Sequence, residues 1–181
     1  MRSLARASAR RIEQIKNANA NPERELDKNR ILEVAYRTAA EASYRLKDYP
    51  AADADIKRAL EIGKAIPQRT LPEKRDANAE LMLAAMIAAR LERFAEAQRM
   101  IEPVLMFHRG LYARGKDNDD LTQHVEFAQA LYVSALASPG QKSSQLTQAA
   151  AIIDGLPPAT RRQISITVVR DRIAEEQKTR R

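Results

Sequence analysis

The chain has 181 residues, of which 44% are hydrophobic, with five glycines and no cysteine. This length is enough for one domain or a short array of helical repeats. The absence of cysteine excludes a disulfide framework, a zinc–thiolate site and a thiol nucleophile. Good helix formers, among them Ala, Leu, Glu and Arg, dominate the composition, so we expect an all-helical chain.

The formal net charge of +7 is concentrated at the two ends of the sequence. Residues 1–20 carry five Lys or Arg against one acid, and residues 159–181 carry seven against three acids, so the part between them is close to neutral. Basic ends favour contact with phosphate groups, so nucleic-acid binding by a helical protein, through its basic terminal helices, is one of two functions that we consider. With only 4% aromatic residues, a base-stacking platform is not expected.

The first predicted helix covers residues 3–17 and has a thin apolar stripe. It lacks the apolar run of a signal peptide, and no later stretch approaches a membrane span, so we expect a cytoplasmic protein without membrane contact. The segment Asn21-Pro22-Glu23 predicts the start of a long helix to Leu46, with Asn21 as its N-cap. Residues 47–50 break this helix, and the next one continues to residue 66.

The middle of the chain predicts further helices at residues 73–91, 95–112, 121–136 and 143–153. Residues 67–72 contain two prolines and are predicted to be a linker, and Gly110 and Gly115 are predicted to end the second of these helices. Asp119 or Asp120 is the predicted cap of the third. Residues 164–168 alternate as a strand would, but a lone strand lacks a pairing partner, so a helix is expected over residues 159–178.

One helix-turn-helix pattern occurs twice at an offset of 45 residues, which indicates a repeat array. A looser third copy places Phe127-Ala128 43 residues after Ala84-Ala85. The matched positions of the first two copies are the small pairs Ala39-Ala40 and Ala84-Ala85, the turn aromatics Tyr49 and Phe94, the alanines Ala52 and Ala97, and the isoleucines Ile56 and Ile101.

These positions resemble the tetratricopeptide repeat (TPR) family, whose helix A carries a small pair and whose helix B carries an alanine. The chain departs from the family in lacking Trp and a turn glycine, and in spacings of 45 and 43 residues where about 34 is usual. The resemblance implies an all-α, TPR-like right-handed superhelix of antiparallel helix pairs. About three degenerate repeats would occupy residues 21–158, with basic terminal helices at residues 1–20 and 159–181. A non-repetitive helical bundle is the alternative.

The resemblance also implies a non-enzymatic scaffold that binds a peptide or amphipathic helix of a partner protein in a concave groove. Arginines in that groove would pair with acidic groups, and methionine and tyrosine would supply apolar contact. The positions carried over from the family are Val34, Arg37, Glu41, Tyr44 and Arg45 in the first repeat, Ala79, Met82, Met86, Ala89 and Arg90 in the second, and Thr122, Val125, Gln129, Tyr132 and Val133 in the third.

No catalytic, metal or cofactor site is predicted. His108 and His124 belong to different predicted helices and to no metal-binding motif, and His124 falls at a packing position of the repeat. Residues 117–120 resemble the start of a calcium loop, but Thr122 stands where that loop needs Gly and Ala128 where it needs Glu. The identity of the partner and the oligomeric state stay open.

Overall fold

A computed structural model describes residues 2–13, 22–67, 70–115 and 121–178, and every regular element in these ranges is helical. The all-helical prediction is thereby confirmed for them. None of these helices is long and apolar enough to cross a lipid bilayer. The helices are α1 (Arg2–Glu13), α2 (Pro22–Arg45), α3 (Tyr49–Gly63), α4 (Leu71–Arg90), α5 (Phe94–Gly115), α6 (Leu121–Ala137), α7 (Lys142–Asp154), α8 (Pro158–Arg161) and α9 (Ile164–Lys178), with a 3-10 turn at Pro139–Gln141.

The chain forms two units, Met1–Glu92 and Arg93–Arg181. In the first unit α2 packs against α1 and α3, and α4 packs against α3 and contacts α2. In the second unit α6 packs against α5 and α7, and α9 packs against α7 and α6. The helices predicted at the two ends of the chain, α1 and α9, are therefore each packed within the unit to which they belong.

The apolar positions of the 45-residue pattern are buried in both copies. Small side chains at these positions let neighbouring helices approach closely, and the isoleucines fill the space between them. The pattern thus identifies core positions in each unit. The buried pairs are Ala39 and Ala84, Ala40 and Ala85, Ala52 and Ala97, Ile56 and Ile101, and Ala59 and Val104.

The turn after α2 and the turn after α4 have the same backbone conformation, again at an offset of 45 residues. Lys47 and Glu92 both have a φ of 59°, and the described ranges contain no other non-glycine residue with positive φ. The amide of Lys47 donates to the carbonyl of Tyr44 at 2.9 Å, and that of Glu92 donates to Ala89 at 3.0 Å. The repeat therefore extends from side-chain pattern to backbone geometry, whereas a TPR-like superhelix stays a prediction.

The predicted linker at residues 67–72 ends earlier than expected, because α4 already begins at Leu71. Thr70 is the N-cap: its hydroxyl accepts from the amide of Glu73 at 3.3 Å, and the Glu73 carboxylate accepts from the amide of Thr70 at 2.8 Å. Pro72 lies in the first turn, where a helix loses no hydrogen bond to a missing N–H. The sequence Thr-x-x-Glu is the capping-box signal that fixes this start.

Two other predicted boundaries also change. Gly110 does not end its helix, since α5 continues to Gly115 with Pro103 in its interior. Residues 159–178 form two helices, α8 and α9, and residues 164–168, which alternate as a strand would, are helical. The predicted caps Asn21, Asp119 and Asp120 lie outside the described residues.

Candidate functional site

Helices α2 and α4 lie side by side and run parallel within the first unit. The guanidinium of Arg30 lies 3.3 Å from the Glu73 carboxylate, and Arg90 donates to the Tyr44 hydroxyl at 3.5 Å. Residue numbers therefore rise together along the two helices from one contact to the next. Helix α3 packs against both, and its short connection to α2 makes it antiparallel to them.

An acidic cleft of about 320 Å³ opens where α2, α4 and the last turn of α3 meet. Its lining carries four carboxyl groups and one guanidinium, in a chain whose net charge is +7. The lining residues are Arg30, Glu33, Val34, Gly63, Ile66, Glu73, Asp76, Ala77 and Glu80.

Helix α4 supplies three of these acids because of their spacing. Glu73, Asp76 and Glu80 follow one another at intervals of three and four residues, so they share one face of the helix. Like charges at this spacing disfavour an isolated helix by a few tenths of a kcal/mol, roughly, per pair. The capping box at Thr70 fixes the start of α4, three residues before the first of these acids.

Glu80 is the most buried acid of the cleft, with 5% of the residue exposed. The pKa of Glu80 is raised to about 9, chiefly by burial and also by a hydrogen bond to Glu33 and the negative charges of Glu33 and Asp76, while the charge of Arg37 lowers it. Glu80 therefore holds a proton at neutral pH. Its Oε1 atom is buried and has no hydrogen-bond partner.

The other acids of the cleft differ in their partners. Glu33 lies 3.5 Å from Nε of Arg37, and Glu73 is held by Arg30. Asp76 is exposed and forms no ion pair or hydrogen bond with the described part of the chain. The described residues contain no group of three or more His, Asp or Glu side chains that could hold a metal ion.

The predicted groove residues of the first repeat lie on α2, and the structure joins them to Arg90 of α4. Tyr44 accepts from Arg90, and Arg45 lies 3.8 Å from Glu41 on the same helix. Glu41 and Arg45 are exposed, whereas Tyr44 and Arg90 are half-buried. Arg37 is held by Glu33, so each of the three predicted groove arginines has a partner within the chain.

Three other predicted groove residues are nearly inaccessible. Met82 and Met86 on α4 are 8% and 9% exposed, and Tyr132 on α6 is 5% exposed. Gln129, also on α6, is half-buried. As placed, the methionines and Tyr132 act as packing residues and offer little surface to a partner.

The sequence analysis did not predict the cleft. Val34 is the one of its lining residues that belongs to the predicted groove positions. A signal was present in the spacing of Glu73, Asp76 and Glu80, which places three acids on one helical face. Glu33 gives no such signal, because its place in the cleft depends on how α2 packs against α4. Tertiary packing therefore decides the site.

Both histidines pack among aromatic or acidic neighbours in the second unit. His108 is buried, with Nδ1 3.4 Å from Oε2 of Glu126. His124 packs edge-on against Tyr112, with ring centroids 5.0 Å apart. Neither histidine lines the acidic cleft.

No family model, curated protein or solved structure matches the chain. A functional conclusion therefore depends on the geometry and chemistry of the residues described above.

Proposed function

We propose that this protein is a non-enzymatic helical-repeat protein that binds a segment of a partner protein. The segment would lie on the α2–α4 face, which we define by Arg37, Glu41, Tyr44, Arg45 and Arg90. The observation that carries the proposal is the parallel arrangement of α2 and α4 against α3. In repeat proteins, equivalent helices of successive repeats lie parallel and form a continuous binding surface. A TPR-like right-handed superhelix is the finer form of this proposal.

The chemistry of the α2–α4 face suits a peptide or amphipathic helix with mixed charge. Tyrosine and arginine are the residue types that most often dominate protein–protein contacts. The exposed pair between Arg45 and Glu41 is long, at 3.8 Å, and pairs of this kind contribute about 0–1 kcal/mol. A partner carboxylate could therefore replace Glu41 at low cost, while Glu41 receives a basic group.

The non-enzymatic part of the proposal is supported by the lining of the acidic cleft. Among the described residues, none that lines the cleft carries a hydroxyl, imidazole, thiol or amine that could act as a nucleophile. Burial and the neighbouring Glu33 account for the raised pKa of Glu80 without a catalytic role. Binding thus accounts for these residues better than acid–base catalysis.

Affinity capture from cell extract at moderate salt, with and without nuclease, tests the proposal. The test variant replaces Arg37, Arg45 and Arg90 by Ala. The matched control replaces Arg99, Arg109 and Arg114 of α5 by Ala. These three arginines are exposed, and their replacement removes the same charge as the test variant does. We expect a protein that survives nuclease treatment, is lost with the test variant and is kept by the control. Circular dichroism confirms that both variants are folded.

Two results would overturn the proposal. A protein partner that is captured equally by the test variant does not bind through the α2–α4 face. Nucleic acid recovered in place of protein, and released by salt, would favour the basic ends of the chain as the functional surface.

A further inference from the structure

We propose that the acidic cleft binds a protonated primary amine on an aliphatic chain, such as a lysine side chain or a small alkylammonium ion. This inference goes beyond the proposed function and does not depend on it. Every lining residue belongs to the first unit, and a free amine can test the cleft without any partner protein.

The first support is the charge of the cleft. Three carboxylates, the protonated Glu80 and a single guanidinium line it, so the lining is negatively charged at neutral pH although basic residues outnumber acids in the chain as a whole. Gly63, the last residue of α3, also lines the cleft, so the negative end of that helix dipole faces the same space. Both features favour a positively charged occupant.

The second support is the unsatisfied oxygen of Glu80. Oε1 of this side chain is buried without a hydrogen-bond partner, in a residue that is 5% exposed. A buried polar atom without a partner costs about 1–3 kcal/mol. An ammonium group entering the cleft would donate to this oxygen and remove that cost. Asp76, which has no ion pair within the described residues, could accept a second of its three protons.

The remaining lining favours an aliphatic amine over a metal ion. The carboxyl groups do not form a set that could hold a metal within the described residues. Val34, Ile66 and Ala77 add apolar surface, which would contact a short hydrocarbon chain. A volume of about 320 Å³ lies at the small end of ligand pockets, which span roughly 300–1,000 Å³.

Binding of an amine should release a proton from Glu80. The groups that act on this carboxyl are Glu33 and Arg37 from α2 and Asp76 from α4. The other lining residues next to α3, Gly63 at its end and Ile66 after it, do not ionise. A neighbouring ammonium charge stabilises the carboxylate, so the Glu80 proton leaves as the ligand enters. This coupling distinguishes the site from a patch of already ionised surface acids.

Isothermal titration calorimetry with n-butylammonium chloride tests the inference at pH 7.5 and constant ionic strength. Two buffers with different ionisation enthalpies report the number of protons released. We expect saturable binding with net proton release, and about tenfold weaker binding for each of Glu80→Gln and Asp76→Asn, which corresponds to about 1.4 kcal/mol. Glu175→Gln, an exposed change on α9 with the same loss of charge, should bind as the wild type does.

Neutral and inorganic probes define the contrary results. Equal binding of 1-butanol would show that charge is not recognised, and displacement of the amine by equimolar Mg²⁺ would show that the site is a metal site. Absence of binding by n-butylammonium up to about 10 mM, on the millimolar scale expected of a small fragment, also overturns the inference. Unchanged affinity in Glu80→Gln would do the same.

Two further probes separate the possible sources of the amine. N-acetyl-lysine methylamide represents a lysine side chain of a protein, and 1,4-diaminobutane represents a free amine. The tighter ligand identifies the source. If the cleft binds amines but no partner protein is captured, the proposed function is rejected and the cleft inference stands. If a partner protein is captured but the cleft binds no amine, the cleft inference is rejected and the proposed function stands.

Discussion

Glu80 on α4 is hydrogen-bonded to Glu33 on α2, so two acidic side chains meet where these parallel helices touch. Such a contact requires a proton on one of the two carboxyl groups. The raised pKa of Glu80, about 9, identifies Glu80 as the group that carries it. The contact between Glu33 and Glu80 at neutral pH therefore depends on a single buried proton.

Glu80 should make the protein less stable as the pH rises. The pKa of Glu80 is raised from 4.5 to about 9 in the folded state, so the folded protein binds more protons than the unfolded chain between these values. The free energy of unfolding therefore falls as the pH rises from about 5 to about 9. Glu80→Gln cannot ionise and should be more stable than the wild type at pH 8 by about 1–3 kcal/mol.

Urea unfolding at pH 5, 7 and 9 measures this difference. The two proteins should be close in stability at pH 5 and should diverge as the pH rises. The Glu175→Gln control should follow the wild type throughout. Parallel stability curves for wild type and Glu80→Gln would show that the pKa of Glu80 is ordinary.

The ion pair between Arg6 and Asp55 should hold α1 against α3. The single Nε–H of Arg6 is shared between the two Asp55 carboxylate oxygens, each 2.9 Å from Nε, and Nη2 donates to the carbonyl of Ala51 at 3.2 Å. Asp55 is 6% exposed. Arg6→Ala leaves a buried carboxylate unpaired and should cost about 2 kcal/mol. The Arg6→Ala/Asp55→Ala double variant should lose less free energy of unfolding than the sum of the losses in the two single variants. Additive losses, measured by thermal unfolding, would contradict a direct ion pair.

Thr70 should contribute to the start of α4 and thereby to the acidic cleft. Thr70→Ala removes the hydroxyl of the capping box and should lower the free energy of unfolding by about 1 kcal/mol. Thr147→Ala is the control, because the Thr147 hydroxyl caps no helix and donates a hydrogen bond to the Ser143 carbonyl inside α7. Equal melting temperatures for the two variants would argue against the capping box.

The two equivalent turns should respond equally to glycine. Lys47 and Glu92 have positive φ, which costs an L-residue about 1–2 kcal/mol, so Lys47→Gly and Glu92→Gly should each be neutral or stabilising by up to about 1 kcal/mol. Lys64→Gly changes a residue with a φ of −59° and should destabilise. Opposite effects of the first two substitutions on the melting temperature would contradict the equivalence of the turns.

Much of the fold could be predicted because the relevant information is local. Apolar spacing and fixed-offset repetition identified the helices and the buried positions such as Ala40 and Ala85. The start of α4 was missed because two prolines suggested a linker, although Thr70 and Glu73 form a capping box. Gly110 predicts a helix end, but one glycine costs a helix only about 1 kcal/mol, and α5 continues past it to Gly115.

The candidate site could be predicted only in part because it depends on contacts between distant residues. The family resemblance assigned Met82 and Met86 to a groove, whereas most of their surface is buried. Glu33 and Glu80 are 47 positions apart in the sequence, and neither the repeat pattern nor the charge distribution connects them. Their contact follows from the packing of α2 against α4.

Site-specific photo-crosslinking in cells tests the proposed binding face most directly. A photoreactive residue replaces Arg45 on α2, whose side chain is 66% exposed, or Lys57 on α3, whose side chain is 54% exposed. We expect a discrete protein adduct from position 45 and none from position 57. Adducts of equal yield at both positions, or an adduct at position 57 alone, would contradict binding of a partner protein at the α2–α4 face.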